Sequence, residues 1–187
     1  MLASVSSATL KILLFRAGPE EFPYDPGRNL TLACLGFGVL ANAALLMFLM
    51  PPLAALFGGF VNVGFLALFT RLTLAARKLD NRFQQTFNAL VVSGAVLTLL
   101  MVPFFAKLAP VLAQIADLIA KNPELAKHPE KLPSPPSMPI MVLMMLGTWQ
   151  IAVISRIFLL AGGVWALLAF LSVLFLMIGM QLSLGGA

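Results

Sequence analysis

Residues 30–70 are almost wholly apolar, and the dipeptide Pro51-Pro52 is the one sharp interruption in this stretch. Each half is about 20 residues long, which is the length that an α-helix needs to cross the hydrocarbon core of a bilayer. Proline cannot continue a helix, because its ring fixes φ and removes the amide hydrogen. We therefore predict a membrane hairpin with spans at residues 30–50 and 53–72.

The composition of the whole chain also indicates a multi-pass membrane protein. Hydrophobic residues make up 60% of the 187 residues and charged residues 10%, and the mean hydropathy is +0.99. In soluble domains charged residues are about a quarter of the total. The net charge of +5 is explained by basic residues beside the spans on the cytoplasmic side, so we expect no nucleic-acid partner.

Further segments follow the hairpin. The basic residues 71–85 form a loop before a third predicted span at residues 86–105. Apolar residues then recur with a period near 3.6, which predicts an amphipathic helix lying in the outer interface. The proline-rich residues 128–139 predict an extended connector. The predicted organisation is an amphiphilic N-terminal segment, 1–29, and one membrane domain, 30–187, whose outer helix and connector occupy 106–139.

The last part of the chain, residues 140–187, carries one charge, Arg156. We expect two spans here, at 140–155 and 157–181, with a reversal near Arg156. A single tilted helix from residue 153 onward, preceded by a re-entrant segment, is the alternative. The predicted fold class is therefore an all-α polytopic membrane helix bundle with five transmembrane helices, or with four and a re-entrant segment.

Basic residues near the ends of the spans predict the orientation. In residues 1–29, Leu10, Leu13, Leu14 and Phe15 suggest an apolar face that lies on the membrane surface. A cytoplasmic N-terminus places more bases inside than outside, as the positive-inside rule requires. We predict a multi-pass inner-membrane protein with a periplasmic C-terminus, with Lys11, Arg16, Arg28, Arg71, Arg77, Lys78, Arg82 and Arg156 inside and Lys107, Lys121, Lys127 and Lys131 outside.

One asparagine lies near the middle of each hairpin span. Asn42 precedes the Pro-Pro turn by about as many residues as Asn62 follows it, so an antiparallel pair places them at similar depth. An unpaired amide in hydrocarbon costs several kcal/mol. We predict a hydrogen bond between Asn42 and Asn62, with small residues such as Gly38 and Gly58 allowing close approach of the helices.

The sequence offers few groups for catalysis. The one histidine, His128, falls in the proline-rich connector without a cysteine or second histidine nearby, so we expect no metal site. No phosphate-binding glycine motif or catalytic triad occurs, and we expect neither enzyme activity nor a cofactor. The basic loop suggests contacts to anionic lipids through Arg71, Arg77, Lys78 and Arg82.

Residues 15–26, FRAGPEEFPYDP, resemble the juxtamembrane segment of small proteobacterial inner-membrane proteins. Together with five closely spaced spans, this phrase resembles the bacterial branch of the Yip (Ypt-interacting protein) domain family. Eukaryotic members of that family carry Asp-Leu-Tyr-Gly-Pro before their first span and are linked to small GTPases. Residues 22–26 of this chain lack that motif, so the resemblance implies a topology and no GTPase binding.

These patterns favour a non-enzymatic scaffold or accessory subunit of a membrane assembly. Its partners would be the lipid bilayer and other membrane proteins, or copies of itself. The alternative is a membrane protein that handles lipids or small solutes, in which Asn42, Asn62 and Gln150 line a cavity.

Overall fold

The structure is a computed structural model that describes residues 2–26, 29–127 and 131–162. All regular structure in these residues is helical, as the sequence predicts, and α2 to α5 are long and apolar enough to cross a membrane. The described chain is thus a membrane-embedded bundle with four candidate spans. The α-helices are α1 (Leu2–Leu13), α2 (Asn29–Leu46), α3 (Pro52–Ala75), α4 (Phe83–Lys121) and α5 (Ser137–Gly162).

The hairpin of α2 and α3 turns at residues 47–51, and Pro51 directly precedes α3. A Cβ atom added at Gly59 would lie 2.6 Å from the backbone oxygen of Val39, so the backbones meet where a side chain does not fit. Ala43 and Ala55 are also buried in the bundle. Such contacts between small residues hold helices together in lipid, where no hydrophobic effect drives their association. We call the end with this turn the distal end, and the opposite end the proximal end.

The central helix, α4, contacts all four other α-helices. It passes without a break through Pro103 and Pro110, so the helix predicted after the third span is present at residues 106–121 as a continuation of that span. Its place in the outer interface stays a prediction. Proline is tolerated in membrane helices because neighbouring groups bond the freed carbonyls. Phe105 contacts Phe48 in the distal turn, with ring centroids 6.1 Å apart. We call residues 106–121 the α4 arm; they continue past this contact for about 24 Å of helix.

The helix α5 passes through Arg156 and continues to Gly162. The predicted reversal near Arg156 is therefore wrong, and so is the alternative helix start at residue 153. The Arg156 guanidinium lies 5.8 Å from the centroid of the Phe15 ring, a contact that it makes without any break in the helix. Arg82 donates a hydrogen bond to the Ala161 oxygen (3.1 Å), which places the end of α5 at the proximal end. The rest of the predicted fifth span, residues 163–181, lies outside the described residues.

The N-terminal helix α1 packs against α4 and α5. Ala8 and Ile12 are buried in the main hydrophobic cluster, whereas Leu10 and Leu14 are 60% and 44% exposed. α1 thus packs on the bundle through one face, and the expectation that Leu10 and Leu14 contact the membrane surface stays a prediction. The face with the smaller residues at positions 5, 8 and 12 fits closely against the bundle, and these positions follow the helical repeat.

A tight turn ends α1 at Phe15, whose φ of 58° is in the left-handed region. The amide of Phe15 donates to Ile12 (3.0 Å) and the amide of Arg16 to Lys11 (2.8 Å), the two bonds of a Schellman motif. This conformation strains a residue that has a Cβ atom. The ring of Phe15 stacks on Trp149 of α5, with centroids 6.3 Å apart, and this packing holds the strained residue in place.

Candidate functional site

Two hydrogen-bonded asparagines lie between α2 and α3. The Asn62 side-chain amide donates to the Asn42 side-chain oxygen at 3.0 Å, and the Asn42 amide donates to the Gly38 backbone oxygen at 2.8 Å. The structure thus brings together the two residues that the sequence analysis paired. Each bond reduces the cost of placing an amide in an apolar phase.

A small cavity adjoins this pair, and we call it the amide cavity. Its volume is about 60 Å³, and its wall includes Asn42 and Asn62 as well as Thr98 of α4 and Gln150 of α5. Gly94 also lines the cavity, and a Cβ atom added there would lie in ordinary contact with the Gln150 side-chain nitrogen, at 3.8 Å. Since a water molecule occupies about 30 Å³ in the liquid, the cavity has space for about two. It offers hydrogen-bond donors and acceptors without any charged side chain.

At the proximal end, three amide side chains near the start of α4 hold the loop that leads into α2. Gln85 donates to the backbone oxygen of Phe22 at 2.9 Å. Gln84 donates to the backbone oxygen of Asp25 at 2.6 Å and to the Thr31 hydroxyl at 3.0 Å.

Asn88 donates to the same hydroxyl oxygen of Thr31, at 3.2 Å. The Asp25 carboxylate in turn accepts from the Leu30 amide at 2.8 Å and so satisfies a free donor of the first turn of α2. This network was not predicted from the sequence. The sequence feature that could have indicated it is the group of three amide side chains at positions 84, 85 and 88, within about one helical turn at the start of an apolar span.

A larger polar pocket, of about 460 Å³, opens beside this loop, and we call it the proximal pocket. Its wall comes from the loop before α2, the first turn of α2, the end of α3 and the start of α4. Its polar side chains are those of Tyr24, Thr31, Arg71, Asp80, Asn81 and Gln84. The pocket therefore lies where three candidate spans begin or end.

The four bases proposed for lipid contact do not form one cluster. Arg71 lines the proximal pocket, and its guanidinium lies 5.9 Å from the centroid of the Phe83 ring. Arg77 and Lys78 are exposed in the turn after α3, where Lys78 has a φ of 58°. Arg82 bonds the end of α5.

The two pockets offer neutral amides and, in the proximal pocket, the charged side chains of Arg71 and Asp80. Residues 2–26, 29–127 and 131–162 contain no group of three His, Cys, Asp or Glu side chains suited to a metal ion. The predicted connector histidine, His128, lies outside them.

Fold and site together define a multi-pass membrane protein with an uncharged internal cavity and a charged pocket at the proximal end. No protein-family model matches the sequence, and no curated protein or solved structure matches it either.

Proposed function

We propose that the chain is a non-enzymatic scaffold or accessory subunit of a membrane protein assembly, and that the α4 arm contacts its partner. The supporting observation is the apolar stripe of the arm, in which Leu112 and Leu118 are 37% and 38% exposed. Val111, Ile115 and Ile119 continue the stripe at helical spacing. The last buried residue of α4 is Leu108, and Val111, Ile115 and Ile119 are half-buried, so the described residues cover this stripe only in part.

The charge of the arm favours a protein partner over the membrane surface. Helices that lie on membranes carry many Lys and Arg residues on their polar face, which attract anionic lipids. The polar face of the arm carries Gln114, Asp117 and Lys121, with one acid against one base. An apolar stripe beside a nearly neutral face suits the groove of another protein, where anchors at i, i+3 and i+4 insert. We infer that the partner is an amphipathic helix of another membrane protein.

We place the protein in a bacterial inner membrane with the proximal end in the cytoplasm. The hydrogen bond between Arg82 and Ala161 supports this orientation, because it brings the last turn of α5, and with it Arg156, to the proximal end of the bundle. The proximal end thus carries more bases than the distal side, as the positive-inside rule expects of a cytoplasmic end. The described bases are Lys11, Arg16, Arg71, Arg77, Lys78, Arg82 and Arg156 at the proximal end, and Lys107, Lys121, Lys127 and Lys131 on the distal side. The predicted periplasmic C-terminus concerns residues outside the described ones.

Photo-crosslinking in native membranes tests the proposal. A photoreactive amino acid at position 112 or 118 is expected to form an adduct with one identified membrane protein. The same group at position 114, on the polar face of the arm, is the matched control and should not. Leu118→Glu should abolish co-purification of that partner without lowering the melting temperature of the bundle. Adducts with lipid alone from both faces would contradict the proposal, and an adduct of twice the chain mass would make the partner a second copy.

The amide cavity supports a second candidate, a protein that handles lipids or small solutes. Asn42, Asn62 and Gln150 line one cavity, and amides in hydrocarbon are often found on solute pathways. The double variant Asn42→Leu with Asn62→Leu should then abolish uptake or release of the solute by reconstituted vesicles while the protein remains folded. Unchanged transport in that variant would reject this candidate.

A further inference from the structure

The proximal pocket holds two opposite charges that are not paired with each other. Arg71 and Asp80 both line it, yet the ion pair observed among the described residues joins Lys11 to Glu21 at 2.9 Å. Arg71 is held by the Phe83 ring instead, and Asp80 begins the short 3-10 turn Asp80–Arg82. Arg71 and Asp80 are exposed in the same pocket without an ion pair between them. This arrangement suits a ligand that carries one positive and one negative charge.

The other polar groups of the pocket match such a ligand. The Thr31 hydroxyl oxygen accepts from Gln84 and Asn88, so its own hydrogen remains available to donate. The Gln84 nitrogen is used by the loop, which leaves its side-chain oxygen to accept. Tyr24 and Asn81 add a hydroxyl and an amide. The pocket thus offers donors for an oxyanion as well as acceptors for an ammonium group.

The position of the pocket indicates where the ligand comes from. Arg71 lies one turn before the end of α3, Thr31 in the first turn of α2 and Gln84 in the first turn of α4. The ends of membrane-spanning helices lie at the depth of the lipid headgroups, on either side of the hydrocarbon core. A volume of about 460 Å³ is within the usual range for sites that bind small molecules.

We propose that the proximal pocket binds a phosphoethanolamine group, with the phosphate on Arg71 and the ammonium on Asp80. The planar guanidinium binds phosphate oxygens with two parallel hydrogen bonds, and stacking near Phe83 positions it for this role. The primary ammonium has three N–H donors, which fit the Asp80 carboxylate and the side-chain oxygens of Asn81 and Gln84. The headgroup of an ethanolamine phospholipid and free phosphoethanolamine share this chemistry.

Binding of short-chain phospholipids to the full-length protein in detergent tests the site. We expect phosphatidylethanolamine to bind more tightly than phosphatidylcholine, whose trimethylated nitrogen has no N–H donor, and more tightly than phosphatidylglycerol, which has no cation. Asp80→Asn should weaken phosphatidylethanolamine by up to about fivefold, the upper end for one solvent-exposed ion pair, and should leave phosphatidylglycerol unchanged. Arg71→Gln should weaken both lipids.

Matched controls remove the same charges outside the pocket. Lys107→Gln and Asp117→Asn both lie on the α4 arm, on the distal side; neither should change the preference among lipids. Free phosphoethanolamine that binds as well as the lipid and shows the same sensitivity to Asp80→Asn would support the site and assign it a soluble ligand.

Equal binding of phosphatidylethanolamine and phosphatidylglycerol, with no effect of Asp80→Asn, would overturn the proposal, because ordinary attraction of anionic lipid to bases would then suffice. A melting temperature within experimental error of the wild type shows that each variant is folded, so any loss of binding reports on the pocket. The site is independent of the partner contact proposed for the arm.

Discussion

The indole of Trp149 donates a hydrogen bond of 3.0 Å to the backbone oxygen of Leu13, across 136 residues of sequence. This bond joins the last residue of α1 to the middle of α5. The neighbouring Phe15 ring stacks on the same indole, and the Arg156 guanidinium lies over that Phe15 ring. The N-terminal helix is therefore part of the bundle and is held there by α5.

Substitutions at Phe15 should separate its packing from its strain. Phe15→Ala removes the ring contacts with Trp149 and Arg156 but keeps a Cβ atom at a φ of 58°. Phe15→Gly removes the same contacts and also the strain, since glycine adopts this conformation readily. Both variants should melt below the wild type, and the glycine variant should be more stable than the alanine variant by about 1 kcal/mol. Thermal unfolding in one detergent measures this difference; an alanine variant as stable as the glycine variant would show that Phe15 is not strained.

Two glycines of α3 should respond oppositely to alanine. At Gly59 the new Cβ atom would meet the Val39 oxygen at 2.6 Å, so Gly59→Ala should destabilise the hairpin by about 1–3 kcal/mol. At Gly64 no atom lies within 4 Å of the added Cβ atom. Gly64→Ala should therefore be neutral or stabilise the helix by up to about 1 kcal/mol. Denaturant titration of both variants provides the comparison, and equal effects would refute the close contact of α2 and α3 at Gly59.

A double-mutant cycle should isolate the bond between Asn42 and Asn62. Asn42→Ala and Asn62→Ala each remove this hydrogen bond, and the double variant loses the same single bond. The effects of the two single variants therefore count the bond twice, whereas the double variant counts it once. We expect a coupling energy of about 0.6 kcal/mol, the average for hydrogen bonds between membrane helices. Unfolding free energies of the four proteins give this value. Additive effects of the two substitutions would mean that the bond contributes nothing to stability.

Arg82 should protect the end of α5. Arg82→Gln removes the charged donor that bonds the Ala161 oxygen, so the last turn of α5 should fray at a cost of about 1 kcal/mol. Arg77→Gln removes the same charge from the exposed turn nearby and serves as the control. Hydrogen exchange of residues 158–162 should accelerate in the first variant alone. Equal exchange rates in the Arg82→Gln and Arg77→Gln variants would show that the Arg82 contact does not stabilise the end of α5.

The α2–α3 hairpin was predictable from sequence because its determinants are local. Pro51-Pro52 fixes the turn, and equal distances from this turn place Asn42 opposite Asn62. The all-α class and the membrane location followed from composition in the same way. The Yip-like relationship and the inner-membrane location stay predictions.

The errors arose where the outcome depends on distant partners. Arg156 looked like the end of a span, but Phe15, which is remote in sequence, accommodates its guanidinium within α5. The third span was predicted to end at residue 105, yet α4 continues through Pro103 and Pro110 to Lys121. The pocket between Arg71 and Asp80 was not foreseen either, because the loop that closes it is held by Gln84 and Gln85, whose partners lie about 60 residues earlier.

The bond between Asn42 and Asn62 joins residues 20 apart, whereas the Trp149–Leu13 bond joins residues 136 apart. Closing a long loop costs more chain entropy than closing a short one, so local contacts form faster. The hairpin can thus assemble while the ribosome is still making α4. The docking place of α1 is incomplete until α5 has been synthesised, so α1 leaves the ribosome before α2 to α5 yet is among the last of these helices to reach its final position.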